Sequence, residues 1–192
     1  KSMKTKILNW KNKNALKQAT QTILNGGILV YPTDTIYGFG VNANNIDAIN
    51  KLNTLKNRKG PISVIAPDKK VVSNWINIPE NEKEFALQSL SPFKTIIFPV
   101  INNVVNDLIL GKNNTLGIRI PDHSFCNLLA TNCNIPITTT SVNRSGELPK
   151  TNCKEIFDSF QDDVDLIIED GELNGSASSI YVYQNKNMKK IR

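Results

Sequence analysis

The chain has 192 residues, with 23 Lys and Arg against 17 Asp and Glu, and it is 40% hydrophobic and 21% charged. This length fits a single domain, and the composition excludes a disordered or low-complexity chain. No apolar run approaches the ~18 residues that cross a bilayer, and no signal segment opens the chain, so we expect a cytoplasmic protein without membrane contact.

Helical and strand patterns alternate along the chain. Apolar residues at helical spacing predict helices at 14–25, 46–58, 68–75, 80–90, 122–129 and 152–160. Short apolar runs between them predict strands at 28–31, 62–66, 95–100, 115–120, 136–141, 164–168, 179–183 and 188–191. We assign three helix N-caps to Asp68, Asp122 and Asn152. The alternation predicts an α/β (α+β) domain around one mixed sheet.

Neither an internal repeat nor a flexible linker interrupts this pattern, so one domain is expected over residues 4–192. Residues 1–3 are interpreted as a short remnant that leads to a native start at Met3. Cys126, Cys133 and Cys153 are odd in number, and their spacing suits neither a disulfide framework nor a zinc site. Reduced thiols and the absence of a protein-held metal are therefore expected.

Arginine is scarce in this basic chain. Only Arg58, Arg119, Arg144 and Arg192 stand against 19 Lys, and the 26 Asn are typical of composition drift in an AT-rich genome. Under such drift Lys replaces Arg wherever a point charge suffices, and Arg persists where a planar fork must hold carboxylate or phosphate. The four arginines are candidate anion contacts, and roughly one in four is expected on the surface by chance.

Two segments in the first third of the chain carry candidate chemistry. Residues 31–40, YPTDTIYGFG, follow a buried strand, where α/β sheets commonly bind ligands. Their alternative is a turn in which Thr33 and Asp34 satisfy the local backbone. Residues 56–61, KNRKGP, end a helix and provide either a phosphate clamp made of Arg58 and Lys56 or cations that complement the helix dipole.

Further polar segments follow later in the chain. In 115–123, TLGIRIPDH, alternation places Arg119 opposite an apolar face, where it binds a carboxylate or is solvated. The single His123 lacks a nearby nucleophile and is interpreted as structural or peripheral. Residues 136–146, PITTTSVNRSG, suit a nucleotide-binding loop or a capping turn, and 171–179 suit a turn or a binding edge. Walker and GxGxxG spacings are missing.

Four segments, taken in order, resemble the YrdC-like family of threonylcarbamoyl-AMP synthases: PTDTIYGFG, KNR, TLGIRIPDH and TTTSVNRSG. The resemblance extends over about Ile28 to Arg192. The resemblance implies a twisted mixed sheet flanked by helices, with a concave basic cleft, in the short single-domain bacterial form. It also implies an enzyme that makes L-threonylcarbamoyl-AMP and pyrophosphate from L-threonine, bicarbonate and ATP, with Mg²⁺ bound to ATP. The product would serve N6-threonylcarbamoyladenosine formation in tRNA through a threonylcarbamoyl transferase complex.

The resemblance also implies residue roles. The catalytic tetrad would be Lys56, Arg58, Ser141 and Asn143. The threonine-binding residues would be Thr33, Thr35, Arg119, Thr139 and Ser178, with Arg119 facing the carboxylate. The nucleotide-binding residues would be Lys56, Arg58, Thr115, Ser141, Asn143 and Arg192.

The sequence departs from the family pattern at three places. The loop after Arg58 is short, residues 91–95 read SPFKT in place of Trp-Pro-Gly-Pro-x-Thr, and Pro149 stands where a nucleotide-binding Ser is common. Two alternative functions stay open. One is a relative that activates carbamoyl phosphate, and the other is a non-catalytic module that binds double-stranded RNA or tRNA through its net charge of +6.

Overall fold

Helices and strands alternate along the chain, and the strands form one mixed sheet. The computed structural model describes residues 4–192. Its helices are α1 Ala15–Leu24, α2 Ile46–Lys56, α3 Lys69–Trp75, α4 Lys83–Gln88, α5 Ser124–Cys133 and α6 Cys153–Phe160. Its strands are β1 Lys6–Asn9, β2 Leu29–Tyr31, β3 Gly38–Gly40, β4 Ser63–Ile65, β5 Lys94–Pro99, β6 Thr115–Arg119, β7 Ile137–Ser141, β8 Leu166–Glu169, β9 Ser179–Gln184 and β10 Asn187–Lys190. The expectation for residues 1–3 lies outside the described residues.

Within residues 4–192 the strands pair in the order β1-β8-β2-β3-β7-β4-β6-β5-β9-β10. The pairs β1–β8, β8–β2, β4–β6 and β5–β9 are parallel. The pairs β2–β3, β3–β7, β7–β4, β6–β5 and β9–β10 are antiparallel. This mixture confirms the predicted fold class.

Side-chain alternation along the strands feeds two hydrophobic cores, one on each face of the sheet. The minor core packs α1 and α5 against Leu29 and Tyr31 of β2 and against apolar residues of β4, β7 and β8. The major core packs α2, α3, α4 and α6 against the opposite face, where Val30 of β2 lies. The minor core contains no residue of β5, β6 or β9. On this face of the sheet, α1 and α5 therefore leave these three strands uncovered.

The predicted strands are confirmed with small shifts of their ends, and the sequence reading missed two short strands. β1 is mostly exposed at the sheet edge and lacks an apolar run. β3 reads Gly-Phe-Gly, and glycine is depleted in strands. Gly40 is required there because an added Cβ would lie 2.7 Å from the ring of Tyr31.

Helix limits and caps are confirmed in part. Asp68 and Asn152 accept hydrogen bonds from the backbone N–H groups of Val71 and Glu155, as N-caps do. The cap predicted at Asp122 is wrong, because His123 Nδ1 accepts the hydrogen bond from Phe125 N at 3.1 Å. The predicted helix at 80–90 is a 3-10 turn, Glu80–Glu82, followed by the shorter α4.

Within residues 4–192, none of the helices combines the length and the apolar character needed to cross a membrane.

Candidate functional site

The uncovered part of the α1–α5 face forms a cavity of about 320 Å³. Its floor is built by β4, β5, β6 and β7, because alternation turns Ser63, Thr95, Arg119 and Thr139 toward this face. Gly117 of β6 also faces it, and an added Cβ there would lie 2.3 Å from Ser63 Oγ. The small side chains thus keep the floor open. Its volume lies at the small end of the ~300–1,000 Å³ range of ligand pockets.

The cavity collects most of the predicted site residues. Those that line it are Arg58, Arg119, Thr139, Ser141, Ser178 and Arg192. Four further predicted residues do not line it but contact residues that do: Thr33, Thr35, Lys56 and Asn143. Thr115 does neither, since its hydroxyl donates to the carbonyl oxygen of Lys112. Its role as a nucleotide ligand stays a prediction.

The scarce arginines separate into two groups. Arg58, Arg119 and Arg192 line the cavity, although they come from the end of α2, from β6 and from the end of the chain. Arg144 lies elsewhere, where its guanidinium stacks 4.6 Å from the ring centroid of Phe160 and donates to Ser159 O. Three positive groups therefore meet in one cavity, as an anionic ligand requires.

Arg119 is held by a buried hydrogen-bonded cluster. Its NH2 group forms an ion pair with Asp34, and its NH1 group donates to Thr35 Oγ1 at 3.2 Å. The Thr33 hydroxyl lies 3.1 Å from that of Thr35 and donates to Ile36 O. The Arg119 side chain is 6% exposed, and its Nε has no hydrogen-bond partner. A buried guanidinium with an unpartnered donor is suited to accept an anion from the cavity.

Asp34 is the residue of this cluster that the sequence reading missed. The segment 31–40 indicated it only as a turn residue, but its side chain is 3% exposed and it pairs with Arg119, 85 positions away. A charged residue at the end of a buried strand was the available signal.

Lys56 binds the polar loop that follows β7. Its ammonium donates to the carbonyl oxygens of Ser141 and Asn143 and, at 3.1 Å, to Asn143 Oδ1. The Ser141 hydroxyl also donates to Asn143 Oδ1, at 2.6 Å. Burial, and then the positive charge of Arg58, lower the pKa of Lys56 to about 8. Lys56 therefore fixes the loop that presents Ser141 to the cavity.

Arg58 and Arg192 lie at the cavity surface. Arg58 is half-buried and donates to Pro61 O at 2.8 Å within the short loop. Arg192 donates to Ser178 O, and the Ser178 hydroxyl is 2.7 Å from that of Thr95. Partial burial, and then the charge of Arg119, lower the pKa of Arg192. The guanidinium groups of Arg119 and Arg192 repel one another, and an anion bound between them would relieve that repulsion.

The single histidine pairs with a carboxylate away from the cavity. His123 Nε2 lies 2.9 Å from Asp170 Oδ2, outside the cavity lining, which agrees with its interpretation as structural or peripheral. Pro149 lines the cavity where the family pattern favours Ser. Among residues 4–192, His, Cys, Asp and Glu form no group of three or more that could hold a metal ion.

Comparison with known proteins identifies relatives of this chain. The family model Sua5_yciO_yrdC, described as "Telomere recombination", matches residues 21–192. The threonylcarbamoyl-AMP synthase of Hydrogenovibrio crunogenus is 32% identical over 184 residues, which cover 92% of this chain and 96% of that protein. The threonylcarbamoyl-AMP synthase of Marinobacter nauticus is 30% identical over 164 residues, which cover 84% and 86% of the two chains.

The fold has a solved counterpart in P. abyssi Sua5 complexed with L-threonine. The two superpose with a TM-score of 0.87 at 24% identity, covering 98% of this chain and 57% of that one. This chain thus spans little more than half the length of that Sua5. The resemblance stated from the four motifs is confirmed: the chain belongs to the Sua5/YciO/YrdC family.

Proposed function

We propose that this chain is an L-threonylcarbamoyladenylate synthase, a nucleotidyltransferase that forms L-threonylcarbamoyl-AMP and pyrophosphate from L-threonine, bicarbonate and ATP. The observation that carries the proposal is the meeting of Arg58, Arg119 and Arg192 with threonine and serine hydroxyls in one cavity. The names of the curated relatives support this reaction. The product would serve N6-threonylcarbamoyladenosine formation in tRNA through a transferase complex, in the cytoplasm.

The proposed reaction has two steps. The threonine amine forms a bond to the carbon of bicarbonate and water leaves, which gives an N-carboxylated threonine. A carboxylate oxygen of this carbamate then forms a bond to the α-phosphorus of ATP, while the bond from that phosphorus to the α,β-bridging oxygen breaks and pyrophosphate leaves. The attacking oxygen is already anionic, so the second step needs positioning and positive charge more than a general base.

Arg58 is the residue assigned to the reacting phosphates. It is half-buried at the cavity wall, and its planar fork can hold phosphate oxygens as charge moves to the leaving pyrophosphate. Lys56 supports the same step from behind by fixing the loop with Ser141 and Asn143. This assignment departs from a direct lysine–phosphate contact, because the ammonium already has three protein acceptors.

Arg119 is the residue assigned to the threonine carboxylate. Its buried position and unpartnered Nε favour a carboxylate ligand, and Thr139 and Ser178 supply neighbouring hydroxyls. Thr33 and Thr35 lie behind Arg119, so a direct contact from them to threonine stays a prediction.

Mg²⁺ is assigned to the nucleotide substrate. The described residues that line the cavity include no carboxylate, and hard divalent cations prefer oxygen ligands such as phosphate and carboxylate. The lining therefore fits Mg²⁺ that arrives on ATP.

The test is an assay of the purified protein with ATP, L-threonine and bicarbonate. We expect pyrophosphate release that depends on both L-threonine and bicarbonate, together with threonylcarbamoyl-AMP identified by mass spectrometry. Release that proceeds with carbamoyl phosphate and ignores threonine would favour the carbamoyl-activating alternative. Salt-sensitive binding of tRNA or double-stranded RNA without turnover would favour the RNA-binding module.

A further inference from the structure

Asp34 lies directly behind the cavity and its carboxylate is fully engaged. Oδ1 accepts from the NH2 group of Arg119, and Oδ2 accepts from Phe93 N at 3.1 Å and Asp122 N at 3.0 Å. The side chain is 3% exposed, so solvent does not compete for these contacts. Three donors from two parts of the chain, residues 119–122 and Phe93, therefore meet on one buried carboxylate.

The positions of these donors show what Asp34 holds. Arg119 ends β6, and Asp122 lies three residues later, before α5. Asp34 thus binds both the guanidinium of Arg119 and the backbone that follows the same strand. Phe93 precedes β5, which is the antiparallel neighbour of β6. The carboxylate therefore fixes Arg119 relative to its own backbone and to the adjacent strand.

The orientation of Arg119 that results leaves N–H groups without a protein partner. NH2 and NH1 each use one of their two N–H groups, on Asp34 and Thr35 Oγ1, and Nε has no partner. Arg119 lines the cavity that also contains Arg192. An oriented guanidinium that lines a cavity and has unpartnered N–H groups is a preorganised contact for a ligand oxygen.

We propose that Asp34 is a positioning residue for substrate recognition, which holds the Arg119 guanidinium in the orientation that binds the carboxylate of L-threonine. The inference rests on the proposed function, because it takes L-threonine as the ligand of Arg119. Asp34 also balances the charge of Arg119, which allows a second guanidinium, that of Arg192, to lie in the same cavity. Asp34 itself does not line the cavity, so it acts through Arg119.

The test compares Asp34→Asn with the wild-type protein by calorimetric titration of two probes, L-threonine and L-threoninol, which lacks the carboxylate. The variant keeps the size of the side chain and removes its charge. We expect threonine affinity to fall about 10- to 100-fold, as loss of a charge-assisted contact predicts, and threoninol affinity to stay close to that of the wild type. In turnover, the KM for L-threonine should rise and the KM for ATP should not.

Asp170→Asn is the matched control. It neutralises another partly buried carboxylate, the hydrogen-bond partner of His123, outside the cavity lining. It should leave both titrations unchanged. Thermal unfolding of each variant accompanies the titrations, and a lower melting temperature with unchanged threonine affinity would make Asp34 purely structural and overturn the proposal.

A second variant covers the case in which Asp34→Asn does not fold. Asp34→Glu keeps the charge but moves the carboxylate by one methylene, so a folded variant should lose threonine affinity and retain that for threoninol. Equal loss of both probes, or loss of neither, would overturn the positioning role alone. Absence of threonine binding by the wild-type protein would overturn the proposed function and this inference with it.

Discussion

Each arginine of this chain has an identifiable partner, and that partner shows what the residue does. Arg119 pairs with a buried carboxylate, Arg192 binds the carbonyl oxygen of Ser178, and Arg58 binds that of Pro61, all at the cavity. Arg144 instead stacks on Phe160. The expectation that a scarce arginine marks an anion site therefore agrees with the placement of three of them, and the fourth packs against α6.

Arg58→Ala should abolish turnover and leave the fold intact. Arg58 is half-buried, and its guanidinium has one protein acceptor, Pro61 O, so its loss should cost only about 0.5–1.5 kcal/mol of unfolding free energy. Steady-state kinetics and urea unfolding of the same preparation measure both effects. Near wild-type turnover would remove Arg58 from the site.

Arg144→Ala is the matched substitution and should give the opposite result. It removes the cation–π contact with Phe160 and the hydrogen bond to Ser159 O, so we expect a loss of about 1–2 kcal/mol in unfolding free energy. Turnover should stay close to the wild-type rate because Arg144 does not line the cavity. The same kinetic and urea measurements apply, and a selective loss of activity would contradict this assignment.

Lys56 should make activity depend on pH in the alkaline range. Its pKa is lowered to about 8, and the charged ammonium uses three donors on the loop at 141–143. We expect kcat/KM for ATP, which reports the pKa values of the free enzyme, to fall above pH 8 as one proton is lost. A profile that stays flat between pH 7 and 9.5 would contradict the role of Lys56.

The fold should not weaken with this loss of charge. The pKa of Lys56 is about 8 in the folded state and about 10.4 in the unfolded chain, so between these values the unfolded state binds the extra proton. The contribution of Lys56 to the unfolding free energy therefore rises with pH across this window. Melting temperatures measured beside the rates separate lost activity from unfolding.

At the scale of single elements, β6 shows how a strand opens the cavity. Its apolar residues Leu116 and Ile118 enter the major core, while Gly117 and Arg119 face the cavity. Because Gly117 has no Cβ, the Ser63 side chain can lie close above its Cα. The alternation in the sequence predicted both faces of this strand correctly.

Gly117→Ala should therefore impair activity by displacing Ser63 into the cavity. The added Cβ would lie 2.3 Å from Ser63 Oγ and 3.3 Å from Thr95 Cγ2, and overpacking of this kind costs roughly 1–3 kcal/mol. Kinetics and urea unfolding of the variant measure the loss. The double variant Gly117→Ala/Ser63→Ala should recover part of the stability, because it removes the hydroxyl at 2.3 Å and leaves only the Cβ of residue 63 at 3.1 Å. Failure to recover any stability would mean that the Ser63 hydroxyl is not the obstacle.

The elements that the sequence predicted are those with a strong local pattern. Apolar runs located the buried strands, and side-chain caps located α3 and α6. β1 was missed because an edge strand needs no apolar run, and β3 because its two glycines resemble a turn. β1 pairs with the distant β8, and β3 pairs both with β2, the strand before it, and with the distant β7.

The candidate site was likewise predictable where its signal is local in the sequence and not where it depends on distant contacts. Scarcity indicated four arginines, of which Arg58, Arg119 and Arg192 line the cavity, and the four motifs identified the family. The contact between Asp34 and Arg119 could not be predicted, because it joins residues 85 positions apart. Nor could the burial of Lys56 against the loop at 141–143, where its ammonium donates to Asn143 Oδ1; its contact with phosphate stays a prediction.

At the scale of the whole molecule, the cavity exists because the helices cover the two faces unequally. Four helices pack on the major core, whereas α1 and α5 reach only the part of the other face around β2, β4, β7 and β8. On the uncovered part of that face, β4, β5, β6 and β7 present small and polar side chains, and positive groups from three parts of the chain meet there. The site is thus a property of the sheet as a whole, and its integrity depends on both cores.

The two cores should unfold together. Strands β2, β4 and β8 contribute to both, as β2 does with Leu29 to the minor and Val30 to the major core, so neither core can loosen without these strands. The two tryptophans report on them separately, because Trp10 packs against the minor core and Trp75 against the major core.

The single-tryptophan variants Trp75→Phe and Trp10→Phe should each give a fluorescence midpoint in urea that coincides with the midpoint by circular dichroism. Comparison within each variant removes the effect of the substitution on stability. Midpoints that separate in either variant would mean that one face unfolds independently, and the cavity between the strands would then be lost before the global transition.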